Sequence, residues 1–590
     1  MSTKGKVAGI IANLVVVEVD KPVSQNEICY ILHDNTRLMA EVIKVVGKNI
    51  YIQVFESTRG LKTGTAVEFT GNMLEATLGP GILSKNFDGL QHDLDKMKGV
   101  FLKKGDYAPP LDNDSIWDFE PLSEPGETVS AGHWLGNVKE NWIDHKIMVP
   151  FKLQGSYKIK SIVKKGQYKL TDTIAVINDQ DGNDISVTMV QKWPVKIPIR
   201  AFKNKPRPYK LMETGVRVID SFNPMVEGGT GFIPGPFGTG KTVLQHAISK
   251  QAEADLIIVA ACGERANEVV EIFAEFPTLD DPRTGRKLME RTTIIANTSN
   301  MPVAAREASV YTAMTLAEYY RSMGLKVLLL ADSTSRWAQA LREMSNRMEE
   351  LPGPDAFPMD LPAIISNFYA RAGFVILNNG ESGSVTFIGT VSPAGGNLKE
   401  PVTESTKKAA RCFYALSQNR ADSKRYPAIE AVDSYSKYLE YEEFQEFIKE
   451  NISEDWVQNI IDAKNILIRG IETQEQINIL GDDGVPVEYH QVFWKAEVID
   501  FVILQQDAFD KIDASTPIKR QQYMLKKVLG ISDIDFKFDS YEEVAPFFKS
   551  VINYLRQMNY SEFQSDKFNK FEKELEELMS SNYEMNKQTA

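Results

Sequence analysis

The octapeptide Gly235-Pro236-Phe237-Gly238-Thr239-Gly240-Lys241-Thr242 has the spacing G-x-x-x-x-G-K-[ST] and runs on into Val243. Glycines, lacking Cβ, let successive backbone N–H groups curl around phosphate oxygens. A helix that starts directly after such a loop aims its partial positive end at the same anions. Lys241 is then placed to reach the β- and γ-phosphates of a nucleotide, and the Thr242 hydroxyl to hold Mg²⁺. A second signal lies about 90 residues on, in Lys326-Val327-Leu328-Leu329-Leu330-Ala331-Asp332. An apolar strand ending in Asp332 fixes a carboxylate at the C-terminal edge of a sheet, where it can help hold the same metal. The third is Cys262-Gly263-Glu264-Arg265. Phosphoryl transfer to water is mostly positioning, so a carboxylate on a neighbouring strand end can orient the attacking water. Glu264 is the first candidate for that acceptor, with Glu268 and Glu343 behind it. Arg265 either pairs with Glu264 or touches phosphate. Cys262 reads as a small buried hydrophobe rather than a catalytic thiol.

These residues need a frame, and the pattern from about 210 to 440 supplies one. Apolar strands are expected near 231–234 and at 256–261, 292–296 and 327–331. Amphipathic helices are expected at 242–251, 267–275, 303–323 and 337–348. Alternation of this kind predicts a mostly parallel sheet covered on both faces. The loop at 235–242 falls between strand and helix, as its chemistry requires. Residues 1–70 read as short strands at 7–11, 14–19, 38–46, 50–55 and 66–69, spaced as in a small closed barrel. Residues 110–190 form a second β-rich stretch, with its clearest strands at 157–163 and 185–190. Beyond 440 the chain reads as helical, with i,i+3/i+4 apolar spacing at 563–578 and a frayed polar tail after it.

Composition bounds the rest. The 590 residues suggest about four domains. Cys29, Cys262 and Cys412 are too few and too far apart for a disulfide framework or a cysteine zinc site. No apolar run approaches the ~18 residues of a membrane span, and the first twenty residues do not read as a signal peptide. The net charge of −13 weighs against a nucleic-acid partner.

The stretch from 207 to 438 resembles the catalytic A subunit of V-type and archaeal A-type rotary ATPases, in the form found in some bacteria. The resemblance rests on GPFGTGKTV, CGER, LMERTTIIANTSNMPVAAREAS (288–309), ADSTSRWAQALREMS (331–345), VSPAGGN (391–397), EPVTEST (400–406) and YPAI (426–429). It extends outward through LGPGILSKNFDGLQ (78–91) and LQQDAFD (504–510). It implies an N-terminal β-barrel (1–72), a connector (73–109), an inserted bulge domain (110–192), a RecA-like α/β nucleotide-binding domain (193–440) and a helical C-terminal domain (441–590). It also implies ATP or ADP with Mg²⁺ at the loop. Lys241 and Thr242 would then serve phosphate and metal, Glu264 the attacking water, and Arg265 the glutamate or the phosphate. Tyr426 and Phe509 become candidates to pack on the adenine ring. The implied partners are B subunits, alternating with this chain in an A3B3 ring and donating an arginine in trans, plus central-shaft and peripheral-stalk subunits. A membrane sector, met only indirectly, would carry H⁺ or Na⁺, which places the chain at the cytoplasmic face of a membrane. Alternatives are a non-catalytic nucleotide-binding subunit of such a ring, a RecA-like nucleic-acid motor and a secretion ATPase.

Overall fold

A computed structural model describes residues 3–33, 36–96, 107–299 and 301–588. The chain divides into two compact units, Met1–Arg207 with Ala254–Val391 and Lys399–Ala409, and Pro208–Glu253 with Ser392–Leu398 and Ala410–Ala590.

The first unit opens with a closed six-stranded antiparallel barrel. Its strands are Lys4–Ile11, Leu14–Val19, Glu27–His33, Thr36–Val46, Asn49–Val54 and Ala66–Met73. Alternate residues point inward, so Val15, Val17, Ile31, Ile52 and Phe69 fill the barrel core. The strand Glu27–His33 was not among those expected from sequence. Its inward residues Cys29 and Ile31 are fully buried, and Asn26 in the left-handed region (φ 64°) turns the chain into it. Part of the expected connector, residues 97–106, lies outside the described residues.

The second β-rich stretch is a sandwich of two four-stranded antiparallel sheets. One contains Thr128–Val129, Tyr157–Ile162, Ala175–Asn178 and Asp184–Val187; the other contains Ile143–Met148, Trp134–Glu140, Ile116–Pro121 and Gly166–Lys169. Leu135, Ile159, Ile177 and Val187 pack its interior. Polar contacts fasten this sandwich to the α/β layer of the same unit. The Glu140 carboxylate accepts from the Gly81 and Leu83 amides (2.6 and 3.0 Å) and meets His145 Nδ1 at 2.6 Å. His145 Nε2 lies 2.8 Å from the Tyr319 hydroxyl, and Trp134 Nε1 donates to the Ser322 carbonyl at 3.0 Å.

The α/β layer of this unit has parallel strands Thr292–Thr298, Leu256–Glu264, Lys326–Asp332 and Ser382–Val391, in that spatial order. Their runs are apolar throughout, as strands covered on both faces must be. The helix Val303–Arg321 is buried along nearly its whole length and packs on all four of them. At its C-terminal end Arg371 pairs with Glu318 at 2.6 Å, both side chains almost fully buried.

In the second unit the strand Thr230–Pro234 runs parallel to Cys412–Phe413, which pairs antiparallel with Tyr435–Ser436. The helix Lys241–Gln251 follows the first of these strands directly. The remainder is helical, with Glu442–Asn451, Trp456–Leu480, Val487–Ile499, Ile518–Ser532, Tyr541–Asn559 and Asp566–Gln588. The polar tail expected to fray after 578 continues the last helix to Gln588. Among the described residues no helix is long and apolar enough to cross a membrane.

Candidate functional site

In the second unit, residues 235–240 connect the strand Thr230–Pro234 to the helix Lys241–Gln251. Gly238 (φ 83°) and Gly240 (φ 87°) are both left-handed, and Gly240 is the helix N-cap. A residue with Cβ would strain the backbone at either point, so the curl of the loop is written in its glycines. The Thr239 hydroxyl closes the loop on the Pro236 carbonyl at 2.8 Å. Lys241 Nζ is gathered into the same curl, donating to the carbonyls of Gly235 (2.8 Å) and Pro236 (2.7 Å). Thr242 stands in the first helical turn, where orphan N–H groups and the helix dipole favour anions. Phe237 is 77% exposed.

The loop borders a cavity of about 460 Å³. Gly238, Thr239, Gly240 and Val243 line one part of it, and Tyr426, Phe501 and Phe509 another. The Tyr426 ring approaches to 3.8 Å of where a Cβ on Gly240 would stand. Its hydroxyl donates to the Ala421 carbonyl at 3.3 Å, and its own carbonyl accepts from the Gln506 amide at 2.9 Å. Phe509 is 89% exposed. Arg217, which the sequence reading passed over, is buried and holds the segment that carries Phe509. It donates to Asp513, to the Gln505 carbonyl and to Thr516 Oγ1 (3.1 Å). The two aromatic candidates and the glycine loop therefore share one cavity.

The carboxylate candidates lie in the first unit. Glu264 ends the strand Leu256–Glu264, and Asp332 ends its parallel neighbour. Gly263, before Glu264, has φ 74°, and a Cβ there would fall 2.8 Å from Arg306 Cδ. Burial pushes the Glu264 carboxyl up to about 8; a hydrogen bond with Glu268 and the charges of Asp332 and Glu268 add to this, while Arg336 draws it down. Glu268 is thus a partner of Glu264. Glu343 is engaged by Arg306 (3.9 Å) and Arg347 (3.7 Å). Arg265 caps the helix Ala266–Glu275 and is exposed. Arg336, an arginine on the helix Thr334–Arg347, carries no signal in the sequence until its neighbours are known. Asp332 is buried, and its Oδ1 accepts from the Thr390 hydroxyl at 2.5 Å. Cys262 is fully buried and its thiol is pushed up to about 12 by burial, so it stays protonated.

Among the described residues no group of three or more His, Cys, Asp or Glu forms a metal cage. Asp332 in the first unit carries a carboxylate and Thr242 in the second a hydroxyl, each a hard oxygen donor of the kind Mg²⁺ takes.

Comparison with known proteins agrees along the chain. The nucleotide-binding domain of the ATP synthase alpha/beta family matches residues 215–436, and the beta-barrel domain of that family matches 7–71. The ATP synthase alpha/beta subunit barrel-sandwich domain matches 108–196, and the C-terminal domain of V and A type ATP synthase matches 445–535. The V-type ATP synthase alpha chain of Borreliella afzelii is 47% identical over 98% of this chain and 99% of its own length. That of Treponema denticola is 46% identical, over 97% and 95%. Among solved structures, the assembled ATPase EscN of the enteropathogenic E. coli type III secretion system has a TM-score of 0.61 at 20% identity. The match covers 89% of this chain and all of that one, and it supports the fold. A glycine loop at a strand–helix junction, a buried strand-end carboxylate and near-full-length identity of this order place the chain in the V-type ATP synthase alpha chain family.

Proposed function

We propose that the chain is the catalytic subunit of a rotary ATPase, hydrolysing or making ATP and coupling this to H⁺ or Na⁺ movement through separate membrane subunits. The loop 235–242 carries the reading, with its left-handed glycines, its lysine gathered into the curl and an aromatic-lined cavity beside it. Backbone N–H groups and Lys241 hold the phosphates, with the helix dipole behind them. Tyr426 and Phe509 pack on the adenine. Thr242 and Asp332 would each offer an oxygen to Mg²⁺, which when bound would neutralise charge on the phosphates. Glu264 accepts a proton from water and aims it in line; Arg265 supports the glutamate or the phosphate. B subunits alternating with this chain donate an arginine that stabilises transition-state charge. Shaft and stalk subunits link the ring to the membrane sector, at whose cytoplasmic face the chain works.

The test is the assembled complex carrying Glu264→Gln. ATP binding is retained and ATP hydrolysis is lost; hydrolysis at the wild-type rate overturns the assignment. Dependence of wild-type turnover on Na⁺ identifies the ion.

A further inference from the structure

Tyr426 enters the nucleotide cavity from a segment that also carries Arg420 and Arg425, and both arginines grip one carboxylate. Arg420 forks onto Asp500 through two hydrogen bonds of 2.8 and 2.9 Å. Arg425 donates to the same carboxylate at 2.8 Å and to both oxygens of Glu497 at 3.0 Å. Its guanidinium also lies 5.0 Å from the Phe501 ring centre. Burial alone would raise the Asp500 carboxyl, but Arg420 and Arg425 hold it below the usual carboxylate range.

The other ends of these contacts form another wall of the cavity. Asp500 is followed by Phe501, which lines it, as does Gln505, whose amide donates to Asp500 Oδ1 at 3.3 Å. The same four charged side chains border a second cavity of about 360 Å³. On that face their positions are set by directed hydrogen bonds more than by packing. Tyr426 and Phe501 therefore hang from one cluster.

We propose that Arg420, Arg425, Glu497 and Asp500 are positioning residues for the nucleotide base, setting where Tyr426 stands without touching the ligand. The proposal rests on the nucleotide reading above. Removing Asp500 takes the carboxylate from the buried Arg420, and removing Arg425 takes the fork from Glu497, so the cluster rearranges and the ring moves with it. The phosphate cradle, built on other residues, is unaffected.

The experiment compares Asp500→Asn, Arg425→Gln and Arg425→Lys in the assembled complex, with ATP and CTP as substrates. The expected result is a KM for ATP raised roughly tenfold, the size of a lost stacking contact, with kcat little changed. The preference for ATP over CTP in kcat/KM falls in step. Arg425→Lys keeps the charge but not the planar fork, and gives an intermediate shift. It carries the test if the other variants fail to assemble. Assembled variants with unchanged KM and unchanged preference overturn the proposal, as does a fall in kcat at constant KM. Lys241→Ala, run in parallel, separates the two readings. Wild-type ATP affinity in that variant removes the nucleotide reading and this proposal with it. Lost affinity there, beside cluster variants of normal base preference, removes the positioning role alone.

Discussion

The Thr390 hydroxyl donates to Asp332 Oδ1 at 2.5 Å across neighbouring parallel strands, and the Thr390 carbonyl in turn accepts from the Thr334 hydroxyl at 2.8 Å. A hydroxyl aimed at one oxygen keeps a carboxylate in a single orientation. For a group proposed to hold Mg²⁺, that orientation is the property that counts. Thr390→Val keeps the shape and removes the donor. The Mg²⁺ needed for half-maximal ATP hydrolysis then rises by about tenfold, and Mg²⁺-dependent ADP binding by calorimetry weakens with it. Thr390→Ser restores both.

Lys241 makes the clearest contrast with a purely structural lysine. Lys241 Nζ donates to two carbonyls of its own loop, so Lys241→Ala removes two charge-assisted hydrogen bonds from the loop and a positive charge from the ligand site. Thermal stability changes little. ATP affinity, measured by calorimetry on the full chain, falls roughly thirtyfold, as expected for loss of charge-assisted contacts.

The Glu264 carboxyl gives the reaction a pH dependence whose direction follows from its surroundings. Burial and the Glu268 contact favour its protonated form up to about pH 8. A protonated carboxyl cannot accept a proton from water, so the hydrolysis rate rises with pH through that value and levels above it. Glu268→Gln removes a negative charge, which makes ionisation of Glu264 easier and moves the rising limb to lower pH. A limb that stays in place in this variant means another group sets it.

Arg371 and Glu318 test the frame beneath the carboxylate strands. Arg371 donates to both Glu318 oxygens (3.1 and 2.6 Å), to the Val195 carbonyl at 2.7 Å and to Thr315 Oγ1 at 3.1 Å. Arg371→Met leaves the buried Glu318 carboxylate with the Ile199 amide (3.0 Å) and the more distant Arg321 (3.9 Å), at a cost of about 3 kcal/mol. Faster hydrogen exchange is expected along the helix Val303–Arg321, with the double variant Arg371→Met, Glu318→Met recovering much of the protection.

The parts visible in the sequence were those with a strong local code. The glycine loop announces itself because left-handed backbone and a lysine at fixed spacing have few other uses, and the apolar runs at 256–261 and 327–331 fit only covered strands. Tyr426 and Phe509 were found through resemblance; no periodicity marks an aromatic as a ring-packing residue, and the structure sets both on one cavity. What stayed hidden was pairwise. Arg336, Thr390 and Arg217 are ordinary until distant segments bring Glu264, Asp332 and Asp513 to them. The strand Glu27–His33 is hard to read because Ile28–Leu32 is a short continuous apolar run without polar alternation, while its burial comes from barrel closure.

The fastening of the sandwich has a mechanical side. Glu140, His145, Tyr319, Trp134 and Ser322 join it, through short buried links, to the helix Val303–Arg321 and its end. That helix packs on the strands that finish in Glu264 and Asp332. Among the described residues the route runs through packed side chains and hydrogen bonds, so a load applied to the outer sheet is expected as leverage at the strand tips.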